Sequence, residues 1–282
     1  MGEIIVKKTG LHTSIQDLGR GHWRHFGVPL SGAMDQRSAQ LANLLTNNEE
    51  DTPVIEITMM GPQLQFTESA IIVLTGANLS PNLDGSAIGM NQSVQVKGGQ
   101  TLSFGKPIQG IRTYLSIKGG FDCPKVLGSY SQYPMVTPSG SLQQGDRLAY
   151  KSQVQSGRNH ALIHTDPQHF TNKILKASPG PEFDLLEKST RQMLLTSSFL
   201  IQRNDRMGYQ LKHPDMPPHQ MEIVTAPVIP GTVQFTPSGQ LIVLMRDAQV
   251  TGGYPRVLQL TNESIDQLAQ KTNGQSILFQ LA

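Results

Sequence analysis

Apolar residues occur in short bursts, most of them four to seven residues long and rich in Ile, Val, Leu and Thr. They are EIIV (3–6), PVIEITM (53–59), QLQF (63–66), AIIVLTG (70–76), SVQV (93–96), TLSF (101–104), IRTYLSIKGG (111–120), ALIH (161–164), GTVQF (231–235), LIVLM (241–245), RVLQL (256–260) and SILFQL (276–281). Gly, Pro, Asn or Asp closes each burst. Bursts this short and this closely spaced predict the strands of an all-β barrel or sandwich rather than alternating βαβ units.

Only three stretches carry a helical period. The first begins at Asp35, whose carboxylate is placed to cap the amides that follow, with Met34 positioned to staple onto Ala39. Leu41, Leu44 and Leu45 keep the spacing, and Asn47–Asn48 end the run. The second covers about 181–195, with Pro181 in the favoured first turn. The third covers about 263–271. The polar stretch KSQVQSGRNHA (151–161) reads as a linker and divides the chain into a first unit, 1–155, and a second, 156–282. TPSG occurs at 137–140 and again at 236–239, which reads as one turn chemistry used twice.

A length of 282 residues suits one large domain or two ordinary ones. The net charge of +2 with 16% charged residues leaves no field strong enough for nucleic acid or an anionic membrane as main partner. Cys123 stands alone, so no intrachain disulfide forms. The start, MGEIIVKKTG, has no apolar run of signal length, and IIVLTGANL (71–79) is too short to span a bilayer. Together these predict a cytoplasmic protein without a membrane anchor.

Standard catalytic signatures fail. GQTLSFGKP (99–107) has five residues between its glycines, and Pro107 stands where a phosphate loop needs Ser or Thr. GRG (19–21) lacks the third glycine of a dinucleotide fingerprint. Neither Ser31 nor Ser238 lies in a G-x-S-x-G elbow. His22 and His25 have no Cys or carboxylate at ligand spacing, so no metal site is expected.

Three polar constellations remain. Around GRGHWRHFGVPLSGAMD (19–35), the residues Asp17, Arg20, His22, Arg24 and His25 sit among Gly19, Gly21, Gly27 and Gly32. Glycines let backbone amides approach a ligand, an arginine can grip a carboxylate or phosphate at two points, and a histidine can move a proton near neutral pH. The same residues fit a solvated loop with snorkelling arginines, which composition alone favours. The second constellation, RNDRMGYQL (203–211), holds Arg203, Asp205, Arg206 and Tyr209 around Gly208, and equally fits a hairpin turn with surface ion pairs. In the third, QFTPSGQLIVLMRDAQVTGGYPRV (234–257), an apolar strand delivers Asp247 and TGGYP to one edge. That arrangement fits a pocket rim or a plain Gly-Gly turn before an edge proline.

Taken in order, the motifs TSIQDLGR, GVPLSGAMD, LANLL, YLSIKGGFD, GDRL, NDRMGYQL and GTVQFTPSGQLIVLMRDAQVTGGYP resemble the biotin-dependent carboxyltransferase-like family over nearly the whole chain. That family includes the C component of bacterial 5-oxoprolinase, the KipA regulator and the allophanate hydrolase-related part of urea carboxylase. The resemblance implies a mainly β fold of two cyclophilin-like β-barrel domains with a few short helices. It implies two partners, a B-type or KipI-type protein and a lactam-utilisation protein of the A type. It also implies ATP with Mg in a site shared with a partner, and a small-molecule substrate, 5-oxo-L-proline, opened to L-glutamate.

Carried onto this chain and joined to the residue types read above, the resemblance makes Arg20, His22, Arg206 and Asp247 the candidate catalytic groups. It makes Asp17, His25, Ser31, Tyr209, Ser238, Gly252, Gly253 and Tyr254 the candidate substrate contacts. Asp35 reads as a helix cap, and Glu56 either faces the pocket or pairs with an arginine. Tyr130 and Gln132 stand where relatives often have Arg and Thr, and Val250 stands where a hydroxyl residue is usual, so the substrate can differ. Two alternatives accompany the oxoprolinase reading. One is a KipA-like regulator that antagonises a KipI-type kinase inhibitor. The other is a carboxyltransferase acting on a urea-like substrate with a biotinylated partner.

Overall fold

The computed structural model describes residues 1–151, 163 and 166–282. The boundary expected near residue 155, the linker from 152 onward and nearly all of ALIH lie outside the described residues. The chain forms two compact units. The first comprises Met1–Arg20 and Ser31–Phe170, the second Gly21–Leu30 and Thr171–Ala282. The second unit thus takes up a ten-residue segment from early in the chain.

In the first unit, one sheet of seven strands runs in the order Phe121–Asp122, Arg147–Tyr150, Gly2–Lys8, Gln63–Phe66, Thr101–Ser103, Asn82–Leu83, Ser86–Ala87. A second sheet of five runs His12–Gln16, Val54–Thr58, Gln109–Ile117, Ala70–Asn78, Ser93–Val96. Alternate positions turn inward, as in Ile4 and Val6, Ile55 and Ile57, or Ile72 and Leu74, and these join Phe66, Leu102, Leu115 and Tyr150 in one core. Helix α1 (Gln36–Thr46) lays Ala39 and Ala42 on Val54 and Tyr114. The Asp35 side chain accepts from Ser38 N at the start of α1, and Asn47 ends it in the left-handed conformation, as the sequence predicts. The one-turn helix α2 (Gln168–Thr171) was not legible in the sequence.

The second unit is a closed barrel, in the order Ile174–Pro179, Arg256–Leu260, Thr232–Phe235, Leu241–Leu244, Gly208–Lys212, Phe199–Asn204, Ser276–Leu281. A parallel pairing of the last strand with the first, Leu175 opposite Phe279, closes it. Closure removes exposed sheet edges. The period of two again points Leu175, Ala177, Phe199, Ile201, Val233, Phe235, Leu241, Val243, Ile277 and Phe279 inward. Outside the barrel lies a two-stranded ribbon, Ala226–Pro227 with Thr251–Gly252.

The helix expected over 181–195 divides. A 3-10 turn covers Phe183–Leu185, Leu186 is extended, and helix α3 runs Lys188–Thr196. Tertiary bonds override local propensity here. Arg256 holds the Glu182 carboxylate through its backbone N (2.8 Å), Nε (3.0 Å) and Nη2 (2.7 Å), and Leu186 turns into the interior. Helix α4 (Asn262–Ala269) starts one residue before the expected place, capped by Thr261. No helix among the described residues is long and apolar enough to cross a membrane.

Candidate functional site

In the first unit, the end of the strand His12–Gln16 runs into Asp17. The Asp17 carboxylate is buried and accepts four hydrogen bonds: Oδ1 from Gly19 N (2.8 Å), Ser129 Oγ (2.6 Å) and Ser131 Oγ (2.6 Å), and Oδ2 from Tyr130 N (2.7 Å). Arg20, 2% exposed, donates from Nη1 to Ser31 Oγ (3.1 Å) and from Nη2 to the Ser131 carbonyl. Ser31 is fully buried and left-handed (φ 54°), and Gly32 follows at φ 94°. A Cβ on Gly32 would stand 2.9 Å from the Leu18 carbonyl carbon, so only glycine lets the two stretches approach this closely. Asp17, Arg20 and Ser31 therefore meet in one buried lattice with the serines of GSYSQ (128–132). The lattice is an internal tie between distant loops, which their spacing in the sequence does not show.

A second buried polar group in this unit lies at the start of α1. Glu56, fully buried, accepts from Tyr114 Oη (2.8 Å) and Met34 N (2.7 Å), and its Oε1 stands 4.0 Å from Arg112 Nε. Of the two readings left open for Glu56, the pairing with an arginine is the one present. Burial, then the Glu56 and Asp35 charges, push the Tyr114 phenol well above its usual range. Asp35 Oδ2 also meets His169 Nε2 at 2.8 Å with both groups buried, a contact that no local motif signals.

The other candidates belong to the second unit. Arg206 and Asp247 form a two-point ion pair, Nε to Oδ2 at 2.7 Å and Nη2 to Oδ1 at 3.1 Å. Tyr209 is fully buried, and its hydroxyl donates to the Lys271 carbonyl (3.1 Å). Ser238 is exposed in the turn after the strand Thr232–Phe235, its Oγ 3.1 Å from Thr236 Oγ1. A Cβ on Gly252 would stand 2.3 Å from Gln234 Nε2, so a larger residue there requires the Gln234 side chain to shift. Gly253 and Tyr254 are exposed beside it.

His22, Trp23, Arg24, His25 and Phe26 form a 3-10 helix (Gly21–Phe26) in this same unit. His22, His25 and Phe26 are exposed, while Trp23 and Arg24 are half-buried. The His25 and Phe26 ring centroids lie 4.1 Å apart with their planes tilted by 43°, and the Trp23 ring stands 5.9 Å from Phe26. Arg24 Nη2 donates to the Val228 carbonyl. Val228 N in turn donates to the Val250 carbonyl (3.0 Å), one residue before the Thr251–Gly252 strand. The 3-10 helix is thereby tied to the ribbon that carries Gly252, two residues before Tyr254. Within the second unit the segment of His22 and His25 is thus linked to the segment of Gly252, Gly253 and Tyr254 by hydrogen bonds through Arg24, Val228 and Val250, and Arg24 is a residue the candidate set omitted. Arg206 with Asp247 forms a separate feature, as do Tyr209 inside the barrel and Ser238 in its turn.

Residues 26–281 match the family described as carboxyltransferase domain, subdomain A and B. The C component of the 5-oxoprolinase of Escherichia coli (strain K12) is 34% identical over 280 residues, which cover 97% of this chain and 89% of that protein. Urea amidolyase of Saccharomyces cerevisiae is 43% identical over 177 residues, 61% of this chain and 10% of that protein. The crystal structure of TTHA0988 superposes with a TM-score of 0.90 at 30% identity, over 99% of this chain and 55% of that one. This chain therefore spans about half the length of that solved chain. With a match over nearly its full length in sequence and in fold, the chain belongs to the carboxyltransferase subdomain A and B family.

Proposed function

We propose that the chain is the C component of an ATP-dependent 5-oxoprolinase, acting with B-type and A-type partners to hydrolyse 5-oxo-L-proline to L-glutamate while ATP becomes ADP and phosphate. The observation that carries this reading is the 34% identity to the Escherichia coli C component over nearly all of both chains. A lactam is a resonance-stabilised amide that water attacks slowly, so coupling to ATP fits the chemistry asked of such a complex.

The described residues present no dedicated metal cage for Mg–ATP, and the arginines that the motifs single out are engaged. Among them no three His, Cys, Asp or Glu side chains come together to hold a metal ion. The cationic groups Arg20 and Arg206 are engaged with Ser31, Ser131 and Asp247. The reading accordingly assigns the nucleotide to a site completed by a partner, and gives this chain the work of holding substrate and partner surfaces.

The test combines the purified chain with its two partners and follows ATP-dependent release of L-glutamate from 5-oxo-L-proline. Turnover only with all three present is expected. No turnover with all three folded and associated discards the reading.

A second reading, carboxyl transfer to a urea-like substrate from a biotinylated partner, draws on the 43% identity to urea amidolyase over 177 residues. The same preparation given urea and a carboxylated biotin carrier separates the two, since label from carboxybiotin reaches product only under the second.

A further inference from the structure

Two arginines of the second unit donate to successive backbone carbonyls beside the ribbon. Arg256 Nη1 reaches the Pro227 carbonyl (3.0 Å) and Arg24 Nη2 the Val228 carbonyl. Their charges are treated differently. Arg256 grips Glu182 at 2.7 and 3.0 Å, and this pair raises the arginine pKa and lowers that of the glutamate. Arg24 makes no ion pair with any described residue. The segments that flank it, Val228 and the ribbon in sequence are poor in carboxylates: residues 18–34, 223–246 and 248–262 contain no Asp or Glu. Partial burial without a counter-charge pulls the Arg24 pKa down. A half-buried guanidinium with one carbonyl partner and no counter-ion keeps donors with which to take up an anion.

The groups around it suit a particular kind of anion. Trp23, His25 and Phe26 flank Arg24 in the same 3-10 helix, with Phe26 68% exposed, and Ile229, beside Val228, is 51% exposed. A flat or apolar body can rest on this ledge while an acidic end turns to the arginine.

We propose that Arg24 is an open carboxylate site, and that the Trp23–His25–Phe26 ledge receives the body of the molecule that carries the carboxylate. The proposal rests on the oxoprolinase reading in one respect only. Under that reading 5-oxo-L-proline, a five-membered lactam with one carboxylate, is a ligand of this description. An acidic side chain of the B-type partner offers the same chemistry from a second source.

Trp23 is the only tryptophan of the chain, so its emission reports on this place alone. The isolated full-length chain is titrated with 5-oxo-L-proline, with 2-pyrrolidinone (the same ring without the carboxylate) and with the B-type partner stripped of tryptophan. Support takes one of two forms. In the first, the Trp23 signal saturates with 5-oxo-L-proline but not with 2-pyrrolidinone. In the second, it saturates with the partner and loses that response when the partner's acidic residues are neutralised. In either case Arg24→Gln should weaken the response at least ten-fold. Arg24→Lys, which keeps the charge but not the two-pronged geometry, should fall between, and it serves as the measure if the glutamine variant does not fold. Equal affinities for wild type and both variants, or no Trp23 response to either source, overturn the site. A Trp23 response without turnover of the assembled complex leaves the site standing and removes the oxoprolinase reading. Turnover that is indifferent to Arg24 with a silent Trp23 does the reverse.

Discussion

Arg206 and Asp247 neutralise each other. Two guanidinium nitrogens meet the two carboxylate oxygens at 2.7 and 3.1 Å, and the Asp247 amide donates to the Arg206 carbonyl at 2.9 Å. Both side chains are largely buried, 11% and 7% exposed. Two residues that read as candidate catalytic groups thus form a brace between two turns of the barrel unit.

Removing one partner of this brace leaves a desolvated charge. Arg206→Ala and Asp247→Ala should each lower stability on the order of 3 kcal/mol. The double variant should lose less than the sum, because it leaves no unpaired charge. Urea denaturation of the four proteins in a double-mutant cycle measures this, and strictly additive losses would refute the pairing as the cause.

The Asp17 lattice gives a more local outcome. Asp17→Ala strands two serine hydroxyls and two backbone amides, at a cost of roughly 3 kcal/mol. The Gly19 and Tyr130 amides both donate to this carboxylate. Hydrogen exchange at these two amides should accelerate together, well ahead of amides in the barrel of the second unit.

Cys123 should be a poor nucleophile despite its partial exposure. Burial first, then the Asp122 and Asp17 charges, push its thiol up to about 12. At pH 8 the thiolate fraction then falls at least 100-fold below that of an ordinary cysteine. Iodoacetamide labelling in the folded protein should slow by that factor and recover fully in urea.

Lys271 should make stability rise with alkaline pH. Burial first, then the neighbouring Lys173, lower its pKa from 10.5 to about 8. Below pH 8 both folded and unfolded chains carry the proton, and the folded state bears the full cost of the buried charge. Between pH 8 and 10 the unfolded chain holds more protons, so unfolding becomes harder as pH rises. Denaturation midpoints at pH 7, 8.5 and 9.5 should climb, and Lys271→Met should raise the midpoint at pH 7 and flatten the climb.

Much of the fold was legible because it rests on local rules. EIIV, QLQF, LIVLM and SILFQL each alternate or run apolar between turn residues, and each is a strand. Asp35 precedes a helical period and caps α1. ILKASP (174–179) and FLIQRN (199–204) were missed, since each opens on two or three apolar residues and then turns polar, leaving only Leu175 and Ala177, or Phe199 and Ile201, as an inward pair. Both become strands because the barrel needs them to close. The helix over 181–195 was interrupted by a partner at Arg256, more than 70 positions away.

By itself, then, the order of residues determined the fold class, the starts of α1 and α4, most strand positions and the family, because propensity, capping and motif order act over a few positions at a time. Only tertiary structure decided which charged groups answer which. Arg20 meets Ser131 across 111 positions, Arg206 meets Asp247 across 41, and Arg24 meets Val228 across 204. A strand's period of two says which face a side chain takes but not which neighbour it meets, and that is set by register and barrel closure. Hence Arg20 and Arg206, conspicuous in their motifs, are engaged inside the protein, while Arg24 has no counter-charge among the described residues.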